Sequence, residues 1–147
     1  DRLPDAIQIG TAIGRSRGGP TTKIAALVDA LGNPVRFVLL PGHRHDLMSV
    51  AALMAGICCQ AFIGDKAFDA GWLRDQLATS HIEAVIPLRA GTKGYDEHDP
   101  EKYKWRHLIE NFYCSLKRFR AIATRYDKTA TNFLAAIHLA ATIIWLN

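Results

Sequence analysis

Two carboxylates and a group of cations stand out by their type and spacing. Tyr103, Arg106, Glu110 and Lys117 are separated by two, three and six intervening residues. On an α-helix, at about 100° per residue, these four share one strip. Trp105, Leu108, Phe112, Leu116 and Phe119 fall on the opposite side, so the segment has a packing face and a face with one carboxylate among cations. Taken alone, Arg106 and Glu110 read as an i,i+4 ion pair on a solvated face, a weak stabilising contact. The sharper reading makes Glu110 an oxygen ligand for a divalent cation, with Arg106 and Lys117 holding phosphates. Asp65 is the second acid. It follows Ala61, Phe62, Ile63 and Gly64, a short apolar run that reads as a buried strand. Open α/β sheets place ligands beyond such strand ends, whereas a simple turn residue is the plain alternative. His43, His45 and Asp46 pair imidazoles with a carboxylate, a donor set that suits zinc or manganese, although a polar turn ahead of a helix accounts for them as well. The glycines of residues 15–19 offer N–H groups that could wrap a phosphate, or they form a solvated loop.

These side chains need elements to position them. Residues 1–20, punctuated by Pro4, Gly10, Gly14 and the run from Arg15 to Pro20, read as an irregular segment. Residues 22–30 and 35–40 read as strands joined by the turn Gly32-Asn33-Pro34. Asp46 is placed to cap a helix carrying Leu47, Val50, Leu53, Met54 and Ile57. A strand over 61–64 follows, then a helix capped by Asp69 with Trp72, Leu73 and Leu77 inside, and a strand over 82–87. A polar loop over 89–100 leads into a helix of about 20 residues over 101–120 and a last helix over 131–146. This order predicts an α/β chain, a pattern that several folds share.

Composition narrows the class. The 147 residues suffice for one domain with a single core. Nearly half are hydrophobic and about a fifth charged, which fits a globular chain and excludes disordered and fibrous classes. The net charge is +4, and it is concentrated: residues 102–128 carry eight Lys and Arg against Glu110 and Asp127, a local +6, so the other 120 residues sum to −2. Such a track suits a polyanionic partner. Cys58, Cys59 and Cys114 form no bridging pattern, which points to a reducing cytoplasm and to cysteines that serve as small packing residues. The longest apolar stretch, residues 133–146, is too short to span a bilayer and reads as a core helix.

The spacing Tyr103-x2-Arg106-x3-Glu110-x6-Lys117 resembles the Y-(2)-R-(3)-E-(6)-K signature of DDE transposases from bacterial insertion sequences. Similar stretches surround it: GRSRGG from Gly14, TTKI from Thr21, DALGNP from Asp29, HRHD from His43, GDKAFD from Gly64, VIP from Val85 and FRAIATRYDK from Phe119. The likeness runs from about residue 13 to the last. It implies a ribonuclease H-like mixed sheet with flanking helices, in which three carboxylates gather Mg2+ or Mn2+ for DNA phosphodiester hydrolysis and strand transfer. By position, Asp65 resembles the second of these acids and Glu110 the third. Arg106 and Lys117, then Arg120, Arg125 and Lys128, would contact the DNA backbone, with Tyr103 positioning it. The family's first aspartate lies on the first strand of the sheet, upstream of GRSRGG, where this sequence has only DRLPDAIQIGTAI. The expectation is therefore a partial catalytic domain over 21–147 that lacks its first strand and acid, with impaired catalysis. The partners implied are the ends of an insertion sequence and its DNA target, and a homo-oligomer is compatible with them. The rival reading is a DNA-binding remnant without catalysis.

Overall fold

A computed structural model describes residues 14–16, 19–95, 97–125 and 129–146. Lys128 and the residues before Gly14 lie outside this set.

The apolar run ahead of the Asp29 turn and the alternating residues after it form an antiparallel ribbon. β1 (Gly14–Ser16), β2 (Gly19–Val28) and β3 (Pro34–Pro41) make a three-stranded sheet in that order. The β2–β3 register runs from Thr22 opposite Pro41 to Leu27 opposite Arg36, with an irregularity between Leu27 and Val28. Asp29 closes the hairpin: its Oδ1 accepts the N–H groups of Leu31 at 2.8 Å and Asn33 at 2.9 Å. Gly32 takes φ +85°, a backbone state that disfavours side chains. The strands begin at Gly14 and Gly19, inside the stretch expected to be irregular, because the two arms pair through Gly14–Thr21 and Ser16–Gly19.

Both faces of this ribbon are covered. Ile24, Ala26, Val28 and Leu39 pack with Phe37 on Phe112, Leu116, Ile122, Phe133 and Ile137. Ala25 and Leu27 lie on the other side with Val38, Leu40 and Leu53. Leu53 belongs to α1 (Val50–Met54), which follows a 3-10 turn at Asp46–Ser49. Asp46 does not cap this helix: the residue at its N-cap is Ser49, His45 precedes the 3-10 turn, and the Asp46 carboxylate binds Lys23 Nζ at 3.0 Å. The exposed carbonyls at the other end of α1 are met by Arg36, whose Nη1 donates to the oxygens of Ala52, Leu53 and Ala55. Helix ends leave such oxygens without intrahelical partners, so Arg36→Met is expected to lower stability by about 1–3 kcal/mol in urea unfolding.

The second sheet is a parallel pair, β4 (Ala61–Ile63) beside β5 (Glu83–Val85). Parallel neighbours need a crossover, here a 3-10 turn at Lys66–Phe68 followed by α2 (Gly71–Thr79). Val50, Phe62, Leu73, Leu77 and Ile86 form the core beneath it. Two expectations fail in α2. Asp69 is no cap, because its carboxylate is engaged elsewhere, and Trp72 is 51% exposed while Arg74 takes the buried position beside Leu73 and Leu77.

The 101–120 segment is broken rather than continuous. Asp99 accepts the N–H of Glu101 at 2.8 Å and starts α3 (Pro100–Tyr103), with Pro100 where its missing N–H costs nothing. A 3-10 turn at Lys104–Arg106 coincides with the His107 ring nitrogen taking up the Lys104 carbonyl at 2.7 Å. α4 (His107–Leu116), α5 (Arg120–Ala123) and α6 (Ala130–Leu146) complete the chain. Phe112 and Leu116 are buried as the spacing requires, whereas Trp105, in the 3-10 turn, is 52% exposed. Cys58 and Cys114 are exposed, so they do not serve as packing residues. Among the described residues no helix is long and apolar enough to cross a membrane.

Candidate active site

Asp65 owes its place to the end of β4. Gly64 extends the β4–β5 ladder by one bond, its N–H donating to the Val85 oxygen at 3.2 Å. A Cβ on Gly64 would stand 3.0 Å from the Phe62 ring and 3.2 Å from Phe68, so a side chain there would disturb the two rings that seat the strand. The chain then turns, and Asp65 caps the turn with Oδ1 accepting the Ala67 N–H at 2.7 Å.

That turn is fastened from the far side by a network the sequence did not announce. Arg89 donates from Nε to the Lys66 oxygen at 2.7 Å and from Nη2 to the Ala67 oxygen at 2.8 Å. Its own N–H is held by Asp69 Oδ2 at 2.7 Å, which also accepts from Thr92 Oγ1 at 2.7 Å. Asp69 Oδ1 receives Arg74 Nε at 2.7 Å, and Arg74 Nη2 reaches the Ile86 oxygen at 2.7 Å. The Arg74 and Asp69 side chains are 5% and 0% exposed. Burial alone would raise the Asp69 pKa, but the donors from Arg89, Thr92 and Arg74 outweigh it and hold the carboxyl below its ordinary range. One sequence signal for this network exists: Arg74 is a charge between Leu73 and Leu77 on the packed side of α2, which needs a buried partner.

Glu110 stands in the first turn of α4, where Arg106 Nη2 meets its Oε1 at 2.5 Å. The Arg106 guanidinium lies over the Tyr103 ring, 5.7 Å from its centre, and that ring meets His98 edge-on at 4.8 Å. Tyr103, Arg106 and Glu110 are thus one contact cluster, as their spacing implied. Lys117 closes α4 two turns further on and is exposed, as is Arg120 at the start of α5. Arg125 points inward: its guanidinium donates to Thr22 Oγ1 and lies over Phe133 at 5.1 Å, with Nε and Nη2 buried and without hydrogen-bond partners among the described residues. Lys102 Nζ binds Glu83 Oε2 at 2.5 Å, which ties α3 to β5 and raises the lysine pKa through that hydrogen bond.

Asp65 and Glu110 therefore have separate partners in this structure. Among the described residues no group of three or more His, Cys, Asp or Glu side chains could hold a metal ion. His43 and His45 are exposed and Asp46 is taken by Lys23, so the imidazole–carboxylate alternative gains no support.

The chain belongs to the DDE transposase family: residues 64–147 match the transposase DDE domain. It is 40% identical over 128 residues, 86% of its length and 98% of the relative, to the "Putative transposase for insertion sequence element IS6501" of Brucella ovis. No solved structure matches it. Membership assigns the chain to DNA transposition, to a class of nucleases and transferases whose substrate is DNA, and to domains that typically use divalent metals.

Proposed function

We propose that this chain contributes Asp65 and Glu110 to a DNA phosphoryl-transfer centre of ribonuclease H-like arrangement within residues 21–147, and that it is impaired when it acts alone. The observation that carries the reading is the Tyr103–Arg106–Glu110 cluster, in which a carboxylate is held beside a guanidinium on an exposed helix face. The i,i+4 pair is weak and open to water, so Arg106 can exchange Glu110 for a phosphate at little cost. Arg106, Lys117 and Arg120 then form the track that grips the DNA backbone, and Tyr103 sets the direction of Arg106. Arg125 is left out of this contact set, since it is bound to Thr22 and stacked on Phe133.

Mg2+ or Mn2+, when bound, would neutralise charge on the phosphate under attack. Magnesium keeps several waters and is held by one or two carboxylates together with phosphate oxygens, so Asp65 and Glu110, each with one oxygen still open, could hold one ion with the DNA. The resemblance implies three carboxylates for the full centre, of which these two are assigned, and the proposed impairment rests on the third. The same reasoning supports a second reading, a DNA-binding protein without catalysis that competes with an active transposase of the same element.

Incubation of the purified chain with supercoiled and linear DNA in Mg2+ or Mn2+ tests this. Salt-sensitive binding without nicking or joining is expected. Strong metal-dependent nicking that vanishes in Asp65→Ala would overturn the impairment, and an absence of binding at low salt would sink both readings.

A further inference from the structure

The peptide unit between Lys66 and Ala67 is held at both ends. Its N–H, that of Ala67, donates to Asp65 Oδ1 at 2.7 Å, and its carbonyl, that of Lys66, accepts Arg89 Nε at 2.7 Å. A guanidinium, one amide plane and the Asp65 carboxylate thus stand in a row, cation to anion. Hydrogen bonds chained in this way polarise one another, so a cation on the carbonyl makes the N–H of the same amide a stronger donor. Arg89 holds the turn at a second point, with Nη2 donating to the Ala67 oxygen at 2.8 Å. A planar fork on two successive carbonyls fixes the tilt of the turn as well as its place. The turn's own backbone bond to the Lys66 oxygen, from the Asp69 N–H, is long at 3.3 Å. That carbonyl therefore depends on Arg89. The fork itself starts from a fixed backbone, because the Arg89 N–H is bound by the Asp69 carboxylate and the Arg89 carbonyl accepts the Thr92 N–H at 3.0 Å.

We propose that Arg89 is a positioning residue for Asp65: through the Lys66–Ala67 peptide it fixes the carboxylate with Oδ1 engaged and leaves Oδ2 for a divalent cation on the DNA. This rests on the reading of Asp65 as a metal ligand. A carboxylate held by one oxygen has fewer orientations to lose when the other oxygen takes a cation, and groups that hold a metal's ligands in this way set its affinity. Arg89 makes no hydrogen bond or ion pair with Asp65 itself, so its action runs through the amide. A direct grip on phosphate is the rival role. It is disfavoured because Nε and Nη2 are both committed to main-chain oxygens.

Arg89→Gln removes the charge and the fork from an exposed side chain, so the urea midpoint is expected to stay close to that of the parent. Two readings on the full chain test the coupling. In 15N–1H spectra without metal, the Ala67 amide proton is expected to move upfield in Arg89→Gln. With Mn2+ titrated onto the DNA-bound chain and followed by electron paramagnetic resonance, Arg89→Gln is expected to bind about tenfold more weakly. Arg89→Lys keeps the charge but has no fork, and is expected to fall between parent and Arg89→Gln in both readings. Once Asp65→Asn is made, adding Arg89→Gln is expected to weaken Mn2+ no further. An Ala67 amide unmoved in both Arg89 variants would overturn the proposal, as would a loss of Mn2+ affinity that adds to that of Asp65→Asn. A salt slope for DNA flattened by about 0.9, with Ala67 unmoved, would make Arg89 a phosphate contact and overturn it too. Asp65→Asn without effect on Mn2+ affinity would overturn the ligand reading instead. The Ala67 shift, measured without metal, would then show whether the coupling or only its use had failed.

Discussion

Asp69→Ala is expected to lower the unfolding free energy by about 3–5 kcal/mol, because it strands the Arg74 guanidinium in a buried site. Total stabilities of single domains run to about 5–15 kcal/mol, so this one change threatens the fold. The reason lies in the inventory around the carboxylate. Arg74 is 5% exposed and, once Asp69 is gone, keeps among the described residues the Ile86 carbonyl and the Tyr95 ring, 5.4 Å from its guanidinium, neither of which carries a negative charge. The Arg89 N–H and the Thr92 hydroxyl lose their acceptor in the same step. Removing Arg74 as well, in Asp69→Ala with Arg74→Met, is expected to recover part of the loss but not all, since the loop donors stay unmet. Acid should act in the same direction. The folded-state pKa of Asp69 is depressed, so its contribution is present above the unfolded value of about 3.9 and is lost as pH falls through the lower folded value. The stability gap between the parent and Asp69→Asn should be flat above about pH 4 and shrink below it. Chemical denaturation at a series of pH values reads both effects. A gap that widens on acidification would mean the carboxyl is not held ionised by its donors.

Simultaneous replacement of Arg106, Lys117 and Arg120 by alanine is expected to flatten the dependence of log K for DNA on log salt by about 2.7, at roughly 0.9 per lost phosphate contact. These three side chains belong to one face and the turn beyond it, and they are free to reach a phosphate at small cost. Arg106 gives up only a solvent-exposed pair with Glu110. Lys117 and Arg120 are exposed at the α4–α5 turn. Arg125→Ala, by contrast, should leave the slope unchanged and lower stability, because its guanidinium is already bound to Thr22 and stacked on Phe133. Fluorescence anisotropy across a salt series distinguishes the two. A slope that survives the triple replacement would move the DNA to another face.

Much of this was legible in the residues themselves. The β2–β3 hairpin, the β4–α2–β5 crossover and the last helix follow from apolar runs and turn residues, and the Tyr103–Arg106–Glu110 cluster follows from helical spacing. What sequence could not supply is the competition for each polar side chain. Asp46 and Asp69 both precede helical runs and read as caps, yet each finds a stronger partner far away in sequence, Lys23 for one and Arg74 with Arg89 for the other. The 101–120 run is amphipathic throughout, but His107 competes for the Lys104 carbonyl where a 3-10 turn interrupts it. Arg125 reads from its neighbours as one cation of a basic track, and its bond to Thr22, 103 positions away, has no local signal. The Tyr113 hydroxyl bonded to β2 joins residues 87 and 89 positions apart, a separation no local pattern encodes.

The central claim is that Asp65 and Glu110 serve one cation on DNA, and iron-directed cleavage tests it most directly. Fe2+ in place of Mg2+ on the DNA-bound chain, with hydrogen peroxide as oxidant and ascorbate to return Fe3+ to Fe2+, generates hydroxyl radicals that cut the nearest backbone. The account predicts cuts beside both Asp65 and Glu110, with both sets lost in Asp65→Asn. Cuts beside only one of them, or clustered at His43 and His45, would contradict it.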